Sequence, residues 1–355
     1  MRSSSPLDSP WAVLVGLTVV ILAVMLFAAS TSMASLSVFN SGWDGSSALQ
    51  SQAEQVGSGS EIAFDVAAYD AATPNRSVAL VLSPETPYEQ AEVRTIRTFV
   101  REGGTLVVAE DFGPHGDELL AGVGASARFD GRTLRDERYN FRSPAFPVAT
   151  NGSNTMVTEA DTDLTLNHGT AVVPNGATVA LTTSEFAYLD ANGNGRLDGE
   201  RLRSYPVVTV ERVGEGRVVA VGDPSAFLNA MLDRPGNLAF VRGLLRGQFV
   251  LMDVSHAGTA PPALAYGLTV VRDSALLQAT FCAAGIAAVL LLSRASAVWS
   301  WVVRRRREER SDAVDREALL RHLRRRHPDW DERRLRRIIA DVMSDRTDDT
   351  DDDGR

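Results

Sequence analysis

Three groups of residues in this chain have types and spacings that suit chemistry. The first runs from Asp190 through Asn192, Asn194, Gly195, Arg196 and Asp198 to Glu200. Side-chain oxygens alternate at positions one, three and five, glycine stands at six and Asp198 at nine. That is the first part of a calcium-binding loop, where alternate residues turn oxygens inward and glycine makes the sharp bend. Arg196, at position seven, would offer its backbone carbonyl. Position twelve is Arg201 rather than a bidentate Glu, so Glu200, one residue early, has to complete the shell. No helix is predicted before the loop, which confines the likeness to the loop itself. The competing expectation is a polar hairpin tip between strands at 178–189 and 205–210, which Asn-Gly pairs favour.

The second group is Asp223 and Ser225, placed after an apolar run and before another. One reading makes them a loop that contacts a ligand or partner. The other makes them a helix cap, a common role for these residue types. The third group is the acidic pairs Glu110-Asp111 and Asp117-Glu118. They follow the run 105–109 (TLVVA) at the end where α/β folds place ligands. A solvated acidic loop is the alternative.

Other chemistry is excluded by composition. All 36 basic residues are Arg. Without Lys there is no P-loop lysine, Schiff base or lysine general base. The one cysteine, Cys282, lies in an apolar run, so it forms no disulfide within the chain and no metal cluster. No Gly-x-Ser-x-Gly elbow is present. His115, His168 and His256 have no neighbours at metal-ligand spacing. The expectation is therefore a protein that is not an enzyme, with no catalytic residues and calcium as the one cofactor to test. The alternative is a metal-assisted surface hydrolase. With 45 acidic residues and a net charge of −9, nucleic acid is not an expected partner. An acidic, Lys-free composition suits a host living in high salt, where charge repulsion is screened within a few Å. We read it as halophilic and archaeal.

These groups need elements to hold them. The run 77–83 (SVALVLS) has strand length. Thr86, Pro87 and Glu89 predict a helix start, with Thr86 as N-cap. Val93, Ile96, Phe99 and Val100 follow at helical spacing, and Gly103-Gly104 ends the helix. With the strand at 105–109 this is a βαβ unit, hence a parallel sheet. Strands at 207–210 and 217–221 are joined by Gly214–Gly216, a hairpin signal. A helix is predicted from Pro235 to Leu245, and 126–185 reads as β-structure and loops. The fold class expected is α/β, a flavodoxin-like, mostly parallel sheet.

Two apolar runs flank this region. Residues 11–29 and 274–293 each have the length that crosses a bilayer core of roughly 30 Å. Arg304–Arg307 follow the second, and the positive-inside rule puts that end in the cytoplasm. The organisation expected is a cytoplasmic N-terminus (1–10), a transmembrane helix (11–29), a flexible tether (30–59), an outer α/β domain (60–250), a linker (251–273), a second transmembrane helix (274–293), a basic juxtamembrane segment (294–310), a helical cytoplasmic tail (311–345) and a disordered acidic end (346–355). This is a two-pass cell-membrane protein with an extracellular middle domain and both termini cytoplasmic. Its partners are the lipid bilayer and a protein on the cytoplasmic side, where the basic amphipathic tail is placed to dock. The triplets at Asn75 and Asn151 fit glycosylation of an outer domain.

The stretch VALVLSP, a helix, then FVREGGTLVVAED, followed by GRVVAVGDPSAFLNAMLDRPGNLAFVRGLL, resembles the family known as domain of unknown function 4350. The Gly-Asp-Pro-Ser to Asn237 part carries most of that likeness. The family is similar to the outer domains of gliding-motility-type ABC-transporter accessory proteins, and both look like class I glutamine amidotransferase folds that lost catalysis. The resemblance implies an amidotransferase-like fold and a non-enzymatic binding or scaffold role. It also implies a transporter or a MoxR-type ATPase assembly as partner.

Overall fold

A computed structural model of the chain describes residues 31–151 and 162–258 without a break, together with parts of 17–25, 262–286 and 321–338. The chain divides into two compact units, Met1–Leu268 and Thr269–Arg355.

The first unit begins with α1 (Ser47–Val56), β1 (Gly59–Ala63), α2 (Ala68–Ala71), β2 (Ser77–Leu82), α3 (Gln90–Arg101), β3 (Thr105–Ala109) and α4 (His115–Val123). A run of short strands follows: β4 (Arg128–Phe129), β5 (Thr133–Asp136), β6 (Val148–Asn151), β7 (Leu164–Thr165), β8 (Val172–Val173), β9 (Thr178–Thr182) and β10 (Ala187–Asp190). It closes with β11 (Pro206–Val213), β12 (Gly216–Val221), α5 (Asn229–Leu232), α6 (Pro235–Leu245) and β13 (Phe249–Asp253).

Nine strands form one sheet in the order β1-β13-β2-β3-β12-β11-β9-β6-β7. The first four neighbouring pairs are parallel. The remaining four are antiparallel. The mostly parallel sheet is therefore corrected to a mixed one, split evenly. The physical reason is connection length. Helices return the chain between the parallel strands, whereas β11 and β12 are joined by a tight turn that permits only antiparallel pairing.

The apolar runs in β2 and β3 are continuous because both faces of this half of the sheet are covered. Val78, Leu80, Val107 and Ala109 face a core shared with α1 and α6. Ala79, Val81, Leu106 and Val108 face a second core with α3 and α4. On α3, Ile96, Phe99 and Val100 are buried, each contributing roughly 1.5–3 kcal/mol. That helix starts later than Thr86 suggests. Glu89 is its N-cap and forms a capping box with Glu92, whose carboxylate accepts the Glu89 N–H at 2.6 Å.

Of the expected tether at 30–59, the described residues 31–59 are folded. The segment carries α1 and the start of β1. Asn229 fixes it from below: its Oδ1 accepts the Ala48 N–H at 2.8 Å, and its Nδ2 donates to the carbonyls of Asn40 and Gly42.

The two transmembrane helices are overturned. Among the described residues, no helix is long and apolar enough to cross a membrane. The longest helical stretch described in the second run, 275–284, spans about 15 Å at 1.5 Å per residue, half of a bilayer core. The rest of 11–29 and 274–293 falls largely outside the described residues. The two-pass topology, the extracellular placement of the middle domain and the bilayer partner lose their support with the spans. In the second unit, residues 321–326 are helical and Arg334 lies over the Trp330 ring at 5.1 Å. Most of the expected tail, including His327-Pro328, and the acidic end lie outside the described residues.

Candidate functional site

The neighbouring strands β3 and β12 send their chains to opposite faces. β3 leads into α4, over the second core, and β12 leads through α5 to α6, over the first. This is a topological switch point, where open α/β sheets form a crevice beyond the strand ends. The residues there are Glu110 and Asp111 after β3, and Asp223 and Ser225 after β12. Sequence reasoning picked both groups separately, and the structure brings them together.

Glu110 is fully buried. Its Oε1 accepts the N–H groups of Asp111 (3.0 Å) and Gly113 (3.1 Å) and the hydroxyl of Ser83 (3.2 Å). Its Oε2 has no partner in the structure. Space for it is cut by two glycines: a Cβ at Gly113 would come within 2.7 Å of Oε2, and one at Gly116 within 2.8 Å of the Glu110 Cβ. Burial pushes the Glu110 carboxyl above its usual range, and the Asp111 charge adds to this. Burial likewise raises Asp111. Ser83 holds a positive φ of 45°, a strained conformation for serine directly after a strand.

Asp223 is also fully buried, and burial pushes its pKa up to about 7, with the Asp111 charge contributing. Its oxygens accept from the N–H groups of Ser225 (2.8 Å) and Asn167. Ser225 Oγ reaches both Asn167 O (3.1 Å) and Asp223 Oδ1 with one proton for the two. A protonated Asp223 removes that conflict. Asp223 N-caps the short 3-10 helix Pro224–Phe227, so the capping reading holds here, and it also ties β12 to the segment around Asn167.

A second network, missed in the sequence, stands at the end of β13. Asp253 Oδ2 accepts from Tyr69 (2.7 Å) and Tyr88 (3.1 Å), and Oδ1 from the N–H and hydroxyl of Ser255 (2.9 and 2.6 Å). Ser255 Oγ lies 2.8 Å from His256 Nδ1, and His256 Nε2 lies 3.2 Å from Glu92 Oε2. The Tyr88 ring stacks on the imidazole at 3.7 Å. Burial and the Asp253 charge raise both tyrosines well above their usual pKa. His256, a loop histidine by sequence, is thus the middle of a chain from α3 to β13. The nearest signal was Asp253-Val-Ser255-His256 itself. His115 pairs with Glu118 within α4 at 2.9 Å, and His168 is exposed. Asp117 is turned to β4, accepting the Phe129 N–H at 2.9 Å.

The loop from Asp190 to Glu200 turns its oxygens inward onto its own donors. Asp190 accepts the N–H groups of Asn194 (3.1 Å) and Gly195 (2.8 Å). Asn192 and Asn194 both donate to Asp198, the Arg196 N–H goes to Asn194 Oδ1 and the Asp198 N–H to Glu200. A cation is already supplied by the chain: Arg135 Nε stands 3.1 Å from Asp190 Oδ2. The strands expected to flank this loop pair in part: β9 at 178–182 is antiparallel to β11 at 206–210, whereas β10, nearer the loop, leaves to pair with β5 in a small separate sheet. Among the described residues, no three His, Cys, Asp or Glu side chains are grouped to hold a metal ion.

The model of a family described as domain of unknown function 4350 matches residues 38–245. The chain belongs to that family. The match covers the nine-stranded sheet up to the end of α6, leaving out only β13 of the strands described above. No curated protein matches. Among solved structures, the N-terminal domain of mmIFT52 is similar at 14% identity, with a TM-score of 0.40, over 53% of this chain and 83% of that one. A β-galactosidase from Bacillus circulans sp. alkalophilus is similar at 13% identity and 0.29, over 46% of this chain and 22% of the enzyme. A cytoplasmic protein from Salmonella typhimurium is similar at 12% identity and 0.33, over 52% and 75%. At these scores the likenesses carry no argument about this family member's activity.

Proposed function

We propose that the chain is a non-catalytic binding or scaffold protein, built on an amidotransferase-like domain without amidotransferase chemistry. One observation carries this reading. The strained position after β2 holds Ser83, not cysteine, and its hydroxyl is given to a buried glutamic acid rather than to a histidine. The only cysteine, Cys282, belongs to the second unit. Asp223 and one oxygen of Glu110 are turned onto the chain's own donors, which favours holding loops in place over metal-assisted hydrolysis. The all-Arg, acidic composition supports a haloarchaeal host. The resemblance to transporter accessory domains makes a transporter or a MoxR-type ATPase the partner class to look for. The test uses the purified full-length chain. Glutamine should release no ammonia above the buffer rate, and a tagged chain should enrich such an ATPase or transporter subunit from its host. Ammonia release that disappears in Ser83→Ala would overturn the reading.

A further inference from the structure

A cleft of about 130 Å³ opens at the carboxyl ends of β2 and β13. Its floor is apolar, made by Leu49, Leu80, Leu82 and Met252. Its charged lining has one sign. Glu85 and Asp253 line it and no arginine does, although the chain carries 36 basic residues. The Asp253 carboxylate is taken up by four hydrogen bonds from Tyr69, Tyr88 and Ser255, on the side of the second core, so Glu85 is the carboxylate open to a ligand. Glu85 is exposed at the rim, and its N–H donates to His256 O at 2.9 Å. Ser83 also lines the cleft. Its proton goes to Glu110, which leaves its lone pairs to accept.

The shape is fixed by strained backbone on two sides. Five non-glycine residues have positive φ among the described residues, and two of them line this cleft: Leu36 at 60° and Ser83 at 45°. A bulky leucine in that region is an outlier, and such strain gathers where a site needs a set shape. The charges then choose the ligand. A carboxylate or phosphate would meet the exposed Glu85 carboxylate and no guanidinium.

We propose that this cleft binds a small organic ammonium ion, its alkyl part on the leucine–methionine floor and its N–H groups on Glu85 and Ser83. The site stands apart from the scaffold reading, which glutamine hydrolysis would overturn without touching it. The test is saturation-transfer NMR on the full-length chain at fixed ionic strength, with methyl-, propyl- and pentylammonium as probes and pentanoate as the control of opposite charge. Binding should tighten by about fourfold per methylene until the floor is filled. Pentanoate should not compete. Glu85→Gln should weaken pentylammonium by about fivefold. Ala257→Trp, at an exposed position on the rim, should block it, and thermal melts check that both variants fold. If Ala257→Trp fails to fold, the chain-length series and Glu85→Gln decide. No binding by any ammonium, equal binding of pentanoate, or affinity indifferent to chain length and to Glu85→Gln would each overturn the proposal.

Discussion

Asp223 shows how far a single carboxyl can depart from its usual behaviour when burial acts on it. Its pKa near 7 in the folded chain, against an ordinary 3.8, means the folded state keeps a proton that the unfolded state releases. The contribution is fully present below about pH 4 and is lost as pH rises through about 7, on the order of 4 kcal/mol across that window. Asp223→Asn removes the titration. The stability difference between wild type and variant, from urea unfolding at pH 4.5 and 7.5, should therefore shrink or reverse at the higher pH. A difference that stays constant would show that Asp223 titrates normally. The loop at Asp190 offers a second test. Arg135 acts as its built-in cation, and Asp190 is nearly fully buried while Arg135 is 18% exposed. Arg135→Gln should cost about 2 kcal/mol, less than for a fully buried pair. Calcium at about 10 mM, well above the range typical of extracellular modules, should then recover part of that loss in the variant and not in wild type. Equal melting shifts in both would show that the guanidinium and calcium do not compete for Asp190. Except for Arg135, these residues were visible in the sequence as types. Their convergence was not, because Glu110 and Asp223 stand more than a hundred positions apart and meet only through the strand order.

At the scale of elements, local signals were read well and long-range pairing was not. β2, α3 and β3, the turn between β11 and β12, and α6 from Pro235 to Leu245 all follow from patterns within twenty residues. Beyond β11 and β12, the antiparallel half comes from strands of two to five residues, such as β6, whose partners are β7 and β9. Short alternating runs leave register weakly specified. α1 was hidden for a different reason. Its Ser and Gln surface reads as linker, and only Leu49 and Ala53 are buried, so its stability is tertiary. Asn237 illustrates how such parts are held. It is fully buried, accepts the Thr165 N–H at 2.9 Å and donates to the carbonyls of Thr165 and Ala226. It thereby pins β7 to α6. Asn237→Leu keeps the volume and strands the Thr165 peptide without partners, so it should destabilise by about 2–4 kcal/mol. Hydrogen exchange should rise first at Thr165 and Leu166. Unchanged protection there would mean that β7 is held by packing alone.

The whole molecule carries 45 acidic against 36 basic residues, and a net charge of −9. That excess tells nothing of the fold. The apolar runs that suggested membrane spans show the same limit, since hydropathy reports length and polarity but not what helix forms. Charge excess does govern response to salt. At about 0.1 M salt the Debye length is roughly 10 Å, and at about 1 M roughly 3 Å. Repulsion between acidic side chains on one surface is then largely removed, and the compact state, which brings them closest, gains most. The melting temperature of the full-length chain should therefore rise by several degrees between 0.1 and 1 M potassium chloride. Screening has to be separated from a general salt effect on apolar burial, which acts whatever the charge. Glu54, Asp70 and Glu102 are exposed acidic residues in the first unit. A variant with Gln, Asn and Gln at these positions should melt higher at 0.1 M and gain less from added salt. If wild type and variant rise in parallel, the salt response belongs to the core rather than to the acidic surface, and the composition would no longer support a high-salt host.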